Sequence, residues 1–244
     1  MNQEKAFDLH GRRIFIALPA YDFKVSIKMA ISLVHFGQQA LQHGVEIQIG
    51  SICGCSVVSR ARNLLAQDFL ESKCTDLLFI DSDINFAAED VFRLLAWTTD
   101  KGIAAGVPTV RKADKTYIAT LDEDGGSLTM NAMGLVRAKR VATAFMMIKR
   151  EVFETLRDKH PEWEYKDQRA GKTLFSFFDF KSTPEGYMGE DFLFCDRARE
   201  EGYEVWIDPT IKLGHMGVQE YEGDFGNDIL YPMFKPQELK VANG

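Results

Sequence analysis

Short apolar runs alternate with longer amphipathic stretches along the first half of this chain. Arg13 to Leu18 reads as a strand closed by Pro19-Ala20-Tyr21, and Lys24 to Gln42 carries helical spacing that Gly44 stops. Val45 to Ile49 predicts a second strand, Gly50 to Ser56 a loop, and Val57 to Glu71 a helix. Leu77-Leu78-Phe79-Ile80 is an unbroken apolar run, the pattern of a central parallel strand buried on both faces. Ala88 to Trp97 fits another helix, and Gly102 to Ala105 a short strand leading into Gly106-Val107-Pro108. This alternation predicts an α/β fold with a mostly parallel, doubly wound sheet flanked by helices.

The pattern then changes. Lys112 to Val136 is polar, with Asp122-Glu123-Asp124-Gly125-Gly126 as a turn, and predicts a smaller antiparallel excursion. Val141 to Ile148 returns to an apolar strand, and Arg150 to Arg157 fits a short helix. Asp158 to Lys172 is polar with aromatics and reads as an inserted loop. Later, Phe192 to Ala198 has helical spacing and Val205 to Asp208 that of a strand. Beyond Gly217 the patterning is weak. A chain of 244 residues can bury its core as one α/β domain, so residues 1–244 are expected to form a single unit.

Composition narrows the function classes. The chain is 45% hydrophobic and 27% charged, ordinary for a soluble globular protein. No apolar run approaches the roughly 18 residues of a membrane span. Met1 to Arg13 is polar and carries no signal-peptide core. Cys53, Cys55, Cys74 and Cys195 form no Cys-x-x-Cys pair and read as reduced thiols of a cytoplasmic protein. The formal net charge of -7 disfavours a protein that coats nucleic acid through a broad basic surface. Basic residues do gather mid-chain, at Arg111-Lys112, Lys115, Arg137, Lys139-Arg140 and Lys149-Arg150, where a solvated face accounts for them. Neither a Gly-x-Gly-x-x-G nor a Walker motif is present, which disfavours dinucleotide oxidoreductases and P-loop kinases.

Candidate chemistry begins where the central apolar run ends, at Asp81-Ser82-Asp83. Ligands of open α/β sheets bind beyond the carboxyl ends of the strands. Two aspartates one residue apart there can both reach a hard divalent cation shared with substrate phosphates. Asp83 is the first candidate ligand, and Asp81 faces a ribose or assists through water. Arg60, Arg62 and Asn63 open a helix, a position suited to a nucleotide base or diphosphate. Gly106-Val107-Pro108 could line a donor sugar, because a residue without a side chain permits close backbone approach. Glu190 and Asp191 follow Gly189 where a helix begins, and the helix dipole favours their ionised forms there. Trp163, Tyr187 and Trp206 could offer an aromatic platform, with Trp206 reading as core.

Taken in order, these segments resemble glycosyltransferases of the GT-A fold, as found in family-2-like bacterial and phage enzymes. The resemblance rests on Ser59-Arg60-Ala61-Arg62-Asn63, Asp81-Ser82-Asp83, Ala142 to Phe153, Gly189-Glu190-Asp191 and Ile211 to His215, and spans about Ile14 to Gly217. It implies a single Rossmann-like domain in which about 13–110 hold a nucleotide-diphosphate sugar, about 111–217 hold acceptor and catalytic groups, and 218–244 form a tail. It implies that Pro19, Ala20 and Tyr21 meet the base and ribose, and that His215 joins Asp81 and Asp83 on Mn²⁺ or Mg²⁺. Asp191 would be the general base of an inverting transfer and Glu190 would bind acceptor or sugar hydroxyls. The implied acceptor is a saccharide or glycoconjugate, with a modified nucleic-acid base as a further possibility.

The chain also departs from the family. Ala144 stands where many members have Gly, and no uracil-reading Asp follows the second strand, so the base is unassigned. Two other readings use the same pocket. One is a non-catalytic nucleotide-sugar or carbohydrate-binding module, which would not need Asp191. The other is a sugar nucleotidyltransferase, whose usual Gly-rich basic signature is absent from Pro19-Ala20-Tyr21-Asp22.

Overall fold

The computed structural model describes residues 9–112, 114–124, 127–184 and 186–233. In chain order the elements begin β1 (Arg13–Ala20), α1 (Ile27–Gln42), β2 (Glu46–Cys53), α2 (Val58–Glu71), β3 (Asp76–Ile80), β4 (Ile84–Asn85), α3 (Ala88–Lys101) and β5 (Gly102–Ala105). There follow β6 (Ala119–Leu121), β7 (Glu123–Asp124), β8 (Ser127–Leu128), β9 (Val136–Val141), β10 (Phe145–Lys149) and α4 (Arg150–Lys159). The last part holds β11 (Glu164–Asp167), β12 (Lys172–Phe175), β13 (Lys181–Thr183), β14 (Gly186–Met188), α5 (Glu190–Glu200), β15 (Glu204–Ile207), β16 (Lys212–Met216) and β17 (Glu220–Asp224).

Eight strands form one sheet in the order β2-β1-β3-β10-β5-β15-β9-β6. β2, β1 and β3 are parallel, as are β5 and β15, whereas β10 runs antiparallel between β3 and β5. Alternate residues of each strand feed two apolar layers. Phe15, Leu77, Phe79, Met146 and Ile148 pack with residues of α2, α4 and α5 on one face. Ile14, Ile16, Leu78, Ile80 and Met147 pack with residues of α1 and α3 on the other. The Leu77–Ile80 run is fully buried, as its lack of alternation requires.

Four local differences from the sequence pattern have physical causes. α1 starts at Ile27 rather than Lys24 because the Ser26 hydroxyl caps it, accepting from the Met29 N–H at 3.0 Å. The apolar run from Val141 to Ile148 is two strand segments, β9 ending at Val141 and β10 starting at Phe145. The small residues Ala142-Thr143-Ala144 continue the apolar pattern through the bend, and the Ala144 carbonyl accepts from the Asp81 N–H at 3.0 Å. Residues 158–172 are not a loop throughout, since β11 and β12 form an antiparallel hairpin there. The weakly patterned segment after Gly217 includes β17, paired with β16. The part of the expected tail at 234–244 lies outside the described residues.

At the end of the sheet opposite the site, a buried polar knot ties β3 to its neighbours. The Asp76 carboxylate is inaccessible and receives Arg12 Nε at 2.9 Å, Arg12 Nη2 at 2.5 Å and the Thr75 hydroxyl at 2.6 Å. Removing one partner of a buried charge pair leaves the other uncompensated, which typically costs about 3–5 kcal/mol. Asp76→Ala is therefore expected to lower the free energy of unfolding by about that amount, measured by urea titration followed by circular dichroism. A change below about 1 kcal/mol would show that Arg12 finds water instead.

Candidate active site

The carboxyl ends of β1 and β3 open into a cleft of about 850 Å³. Its walls include Pro19, Ala20 and Tyr21 after β1, Val58, Ala61 and Arg62 from the first turns of α2, and Asp81-Ser82-Asp83 after β3. Arg111 and Met216-Gly217-Val218 close another side. Among these, the tight turn after β1 is held by a hydrogen bond from Phe23 N–H to the Ala20 carbonyl at 3.1 Å. Phe23 takes the left-handed backbone region at φ 62°, and its ring occupies the space where a side chain at Gly54 would stand. Tyr21 is exposed.

Two charge groups line or adjoin the cleft. The first joins Asp83 to His215. β4 and β16 pair antiparallel with His215 opposite Ile84, and the Met216 N–H donates to the Asp83 carbonyl at 2.8 Å. This places His215 Nε2 3.4 Å from Asp83 Oδ2. The other ring nitrogen, Nδ1, lies 2.8 Å from the buried Thr109 carbonyl and donates to it, which directs Nε2 at the carboxylate. Arg111 Nη1 approaches the same Asp83 oxygen at 3.2 Å, with the arginine stem lying over Gly217. Burial alone would raise the Asp83 pKa, but His215 and Arg111 hold it below the usual carboxylate value. Burial alone would lower that of His215, but Asp83 and the Thr109 carbonyl raise it.

The second group centres on Arg62, a buried guanidinium. Its Nε donates to Glu190 Oε1 at 3.1 Å and its Nη2 to Asp81 Oδ1 at 3.2 Å. It lies 5.3 Å from the centroid of the Phe79 ring, and Nη1 is buried with no protein partner among the described residues. Asp191 is next to Glu190 in the first turn of α5, whose N-cap is Gly189 and provides no side-chain cap. The helix start by itself favours ionised carboxylates. Burial and the neighbouring Glu190 charge outweigh it at Asp191, whose pKa is pushed up to about 6.

The cation question turns on Asp83 and His215. A histidine anchored through Nδ1 to a carbonyl presents Nε2 as a ligand. A separation of 3.4 Å is long for a hydrogen bond and matches two ligands of one cation at about 2.0–2.2 Å each. The pair therefore fits a divalent cation, which Asp83 and His215 would hold and which would supply Lewis-acid chemistry there. Asp81 is turned to Arg62, and no group of three or more His, Cys, Asp or Glu suited to a metal ion occurs among the described residues.

Other residues singled out in the sequence lie elsewhere. Arg60 grips Asp167 of β11 with two bonds of 2.5 and 2.8 Å and does not line this cleft. Asn63 is buried and exchanges two 2.9 Å hydrogen bonds with the Phe178 backbone. Both face away from Arg62 because they sit on another side of α2. Gly106 and Pro108 are buried, and the space a side chain at Gly106 would need is taken by Ile211 and Phe145. Trp163 is stacked against His160 at 4.0 Å, with the Arg197 guanidinium 4.2 Å from its ring. Trp206 is core, whereas Tyr187 is exposed and stacked on Phe180 one hairpin before α5. Arg111 is the residue that sequence reasoning passed over as surface charge. Its only signal was its place shortly after the strand-end segment Gly106-Val107-Pro108.

No protein-family model and no curated protein sequence matches the chain. Among solved structures, the chain is similar to A197 from STIV, with a TM-score of 0.52 and 18% identity over 84% of this chain and 86% of that one. It also aligns with GalNAc-T7 bound to UDP, GalNAc and Mn²⁺, at TM-score 0.47 and 13% identity over 91% of this chain. A third is TarS of S. aureus in complex with UDP-GlcNAc, at TM-score 0.44 and 10% identity over 81% of this chain. The chain spans 45% of the first of these two and 56% of the second. The fold is GT-A-like: a mostly parallel sheet flanked by helices, with small antiparallel sheets beside it.

Proposed function

We propose that this chain is a cation-dependent glycosyltransferase that moves a sugar from a nucleotide-diphosphate donor to an acceptor hydroxyl with inversion. The observation that carries the reading is the convergence of Asp83 and His215, distant in sequence, at one edge of a cleft beyond the strand ends. A Mn²⁺ or Mg²⁺ ion between them would neutralise the leaving diphosphate as a Lewis acid. The remaining work falls to the chain itself. Tyr21 offers its ring to a base, and Arg62 Nη1 is a spare donor for a phosphate oxygen or ribose hydroxyl. Arg111 can leave Asp83 for the diphosphate, because half of its side chain is exposed.

Asp191 would take the acceptor proton. At about 6 its pKa is above that of an ordinary aspartate, so it is a stronger base that is still ionised at neutral pH. Glu190, held by Arg62, would orient acceptor hydroxyls. Arg62 thereby links the acceptor side at Glu190 with the donor side at Asp81. The exposed Tyr187–Phe180 stack would offer a face to an acceptor ring.

Three outcomes are expected. Binding of nucleoside diphosphates, followed by calorimetry across the common bases, should require Mn²⁺ or Mg²⁺, and Asp83→Ala should abolish that dependence. Full binding in EDTA would contradict the metal assignment. Asp191→Asn should lower turnover at least about 100-fold with little change in nucleotide affinity, and the wild-type rate should fall as pH drops below about 6. Retained anomeric configuration, or near-normal turnover in this variant, would move the base elsewhere.

The same residue should show a stability signature. The folded state raises the Asp191 pKa from 3.8 to about 6, so the ionised carboxylate destabilises the fold above that range and not below pH 3.8. Asp191→Asn should therefore stabilise the protein by about 1–3 kcal/mol at pH 8, with the gain fading as pH falls from 6 towards 4. Denaturant titrations at pH 8 and pH 4 read this directly. An Asp191→Asn protein less stable than wild type at pH 8 would make the carboxylate a structural group.

A further inference from the structure

α1 is apolar on both sides. Met29, Ser32, Phe36 and Ala40 face the core. Ile27, Ile31, Val34 and Leu41 project from the opposite side at helical spacing, 74, 48, 60 and 83% exposed. Gln38 sits among them, but four exposed apolar residues on the outward side are more than a helix with a single apolar stripe presents to water. Beside it lies β2, the outer strand of the sheet, with Ile49 also exposed. β2 runs eight residues in unbroken register with β1 and contains no proline, lysine or bulge to guard its free edge. Between the two is a groove of about 800 Å³ walled mainly by Leu33, Leu41, Ile47 and Ile49, with Gly37 at its helical side.

Gly37 is the second, independent observation. A glycine inside a helix costs about 1 kcal/mol relative to alanine. Nothing among the described residues needs it, since a side chain there would meet no atom of theirs within 4 Å. A glycine facing open space is explained if another backbone comes close to it.

We propose that this face seats a second copy of the same chain, with the two α1 helices crossing near Gly37 about a twofold axis. The self-match rests on three features. The patch carries both a projection and its socket, so Val34 of each copy can enter the groove of the other, as an isologous contact requires. Charge does not oppose the pairing: α1 holds no carboxylate, its Lys28 is already ion-paired with Glu220, and Glu46 of β2 pairs with Arg13. The area is also sufficient. The exposed apolar side chains cover on the order of 500 Å², and an interface that is only slightly more than half apolar reaches roughly 800 Å² per partner once the exposed His35, Gln38 and Gln42 between them are included. The cleft lies beyond the carboxyl ends of β1 and β3 and stays open in such a dimer.

Sedimentation velocity of the whole chain tests this. A dimer is expected at micromolar concentration, and Val34→Lys or Leu41→Lys should weaken it at least about 30-fold with unchanged circular dichroism. Gly37→Leu should also dissociate it while raising the thermal midpoint of the monomer, because the substitution improves the helix and fills the socket. Gly37→Cys in a Cys53→Ser background should give a disulfide-linked dimer on oxidation, a readout that survives if a lysine variant misfolds. A wild-type monomer at about 100 μM, a dimer untouched by all these changes, or a monomer that instead binds phosphatidylcholine vesicles through α1 would each overturn the proposal.

Discussion

The pairing of β4 with β16 is the constraint on which the site depends. β4 is only two residues long, and its carbonyl and amide partners come from a strand near the other end of the chain. Gly214 makes the approach possible, because any side chain there would collide with Asn85 and Glu220. From this one register come the position of His215 beside Asp83, the hydrogen bond from His215 Nδ1 to Thr109, and the placement of Met216-Gly217-Val218 on the cleft wall. β17 backs the pair, and its Glu220 is tied to Lys28 of α1. A slip of one residue in β16 would turn His215 to the other face of its strand.

Arg62 is the complementary element on the far side of the cleft. A buried guanidinium between Glu190 and Asp81 is expensive to desolvate, and its worth depends on both carboxylates staying in place. It therefore couples the start of α5 to the end of β3, so the two halves of the chain share one electrostatic unit. Asp191 is buried beside the Glu190 charge, and these two effects outweigh the attraction of Arg62, so its pKa rises.

The strands and helices of the first half of the chain were legible because burial on both faces produces unmistakable runs. Leu77–Ile80 and Gly102–Ala105 are such runs, and β5 has the expected bounds. Direction was not legible: nothing in Phe145–Lys149 distinguishes an antiparallel strand from a parallel one, since either would be buried on both faces here. The small residues 142–144 hid a bend for the same reason. At the site, Asp81, Asp83 and the Glu190–Asp191 pair stood out because charge appears abruptly where apolar patterning stops. Which helical face an arginine occupies is finer than the pattern resolves. Arg60 and Arg62 looked equivalent, yet one clamps β11 and the other enters the cleft wall. Arg111 could not be told from the other mid-chain basic residues, because its partner Asp83 is set by tertiary pairing alone.

Pulsed electron paramagnetic resonance of Mn²⁺ bound to the protein, alone and with inorganic pyrophosphate, tests the central assignment most directly. Protein labelled with ¹⁵N-histidine should show coupling between the ion and one imidazole nitrogen. The coupling should vanish in His215→Ala and persist in His160→Ala. Absence of histidine coupling in the wild type, or its survival in His215→Ala, would contradict the view that β4 and β16 come together to build a cation site.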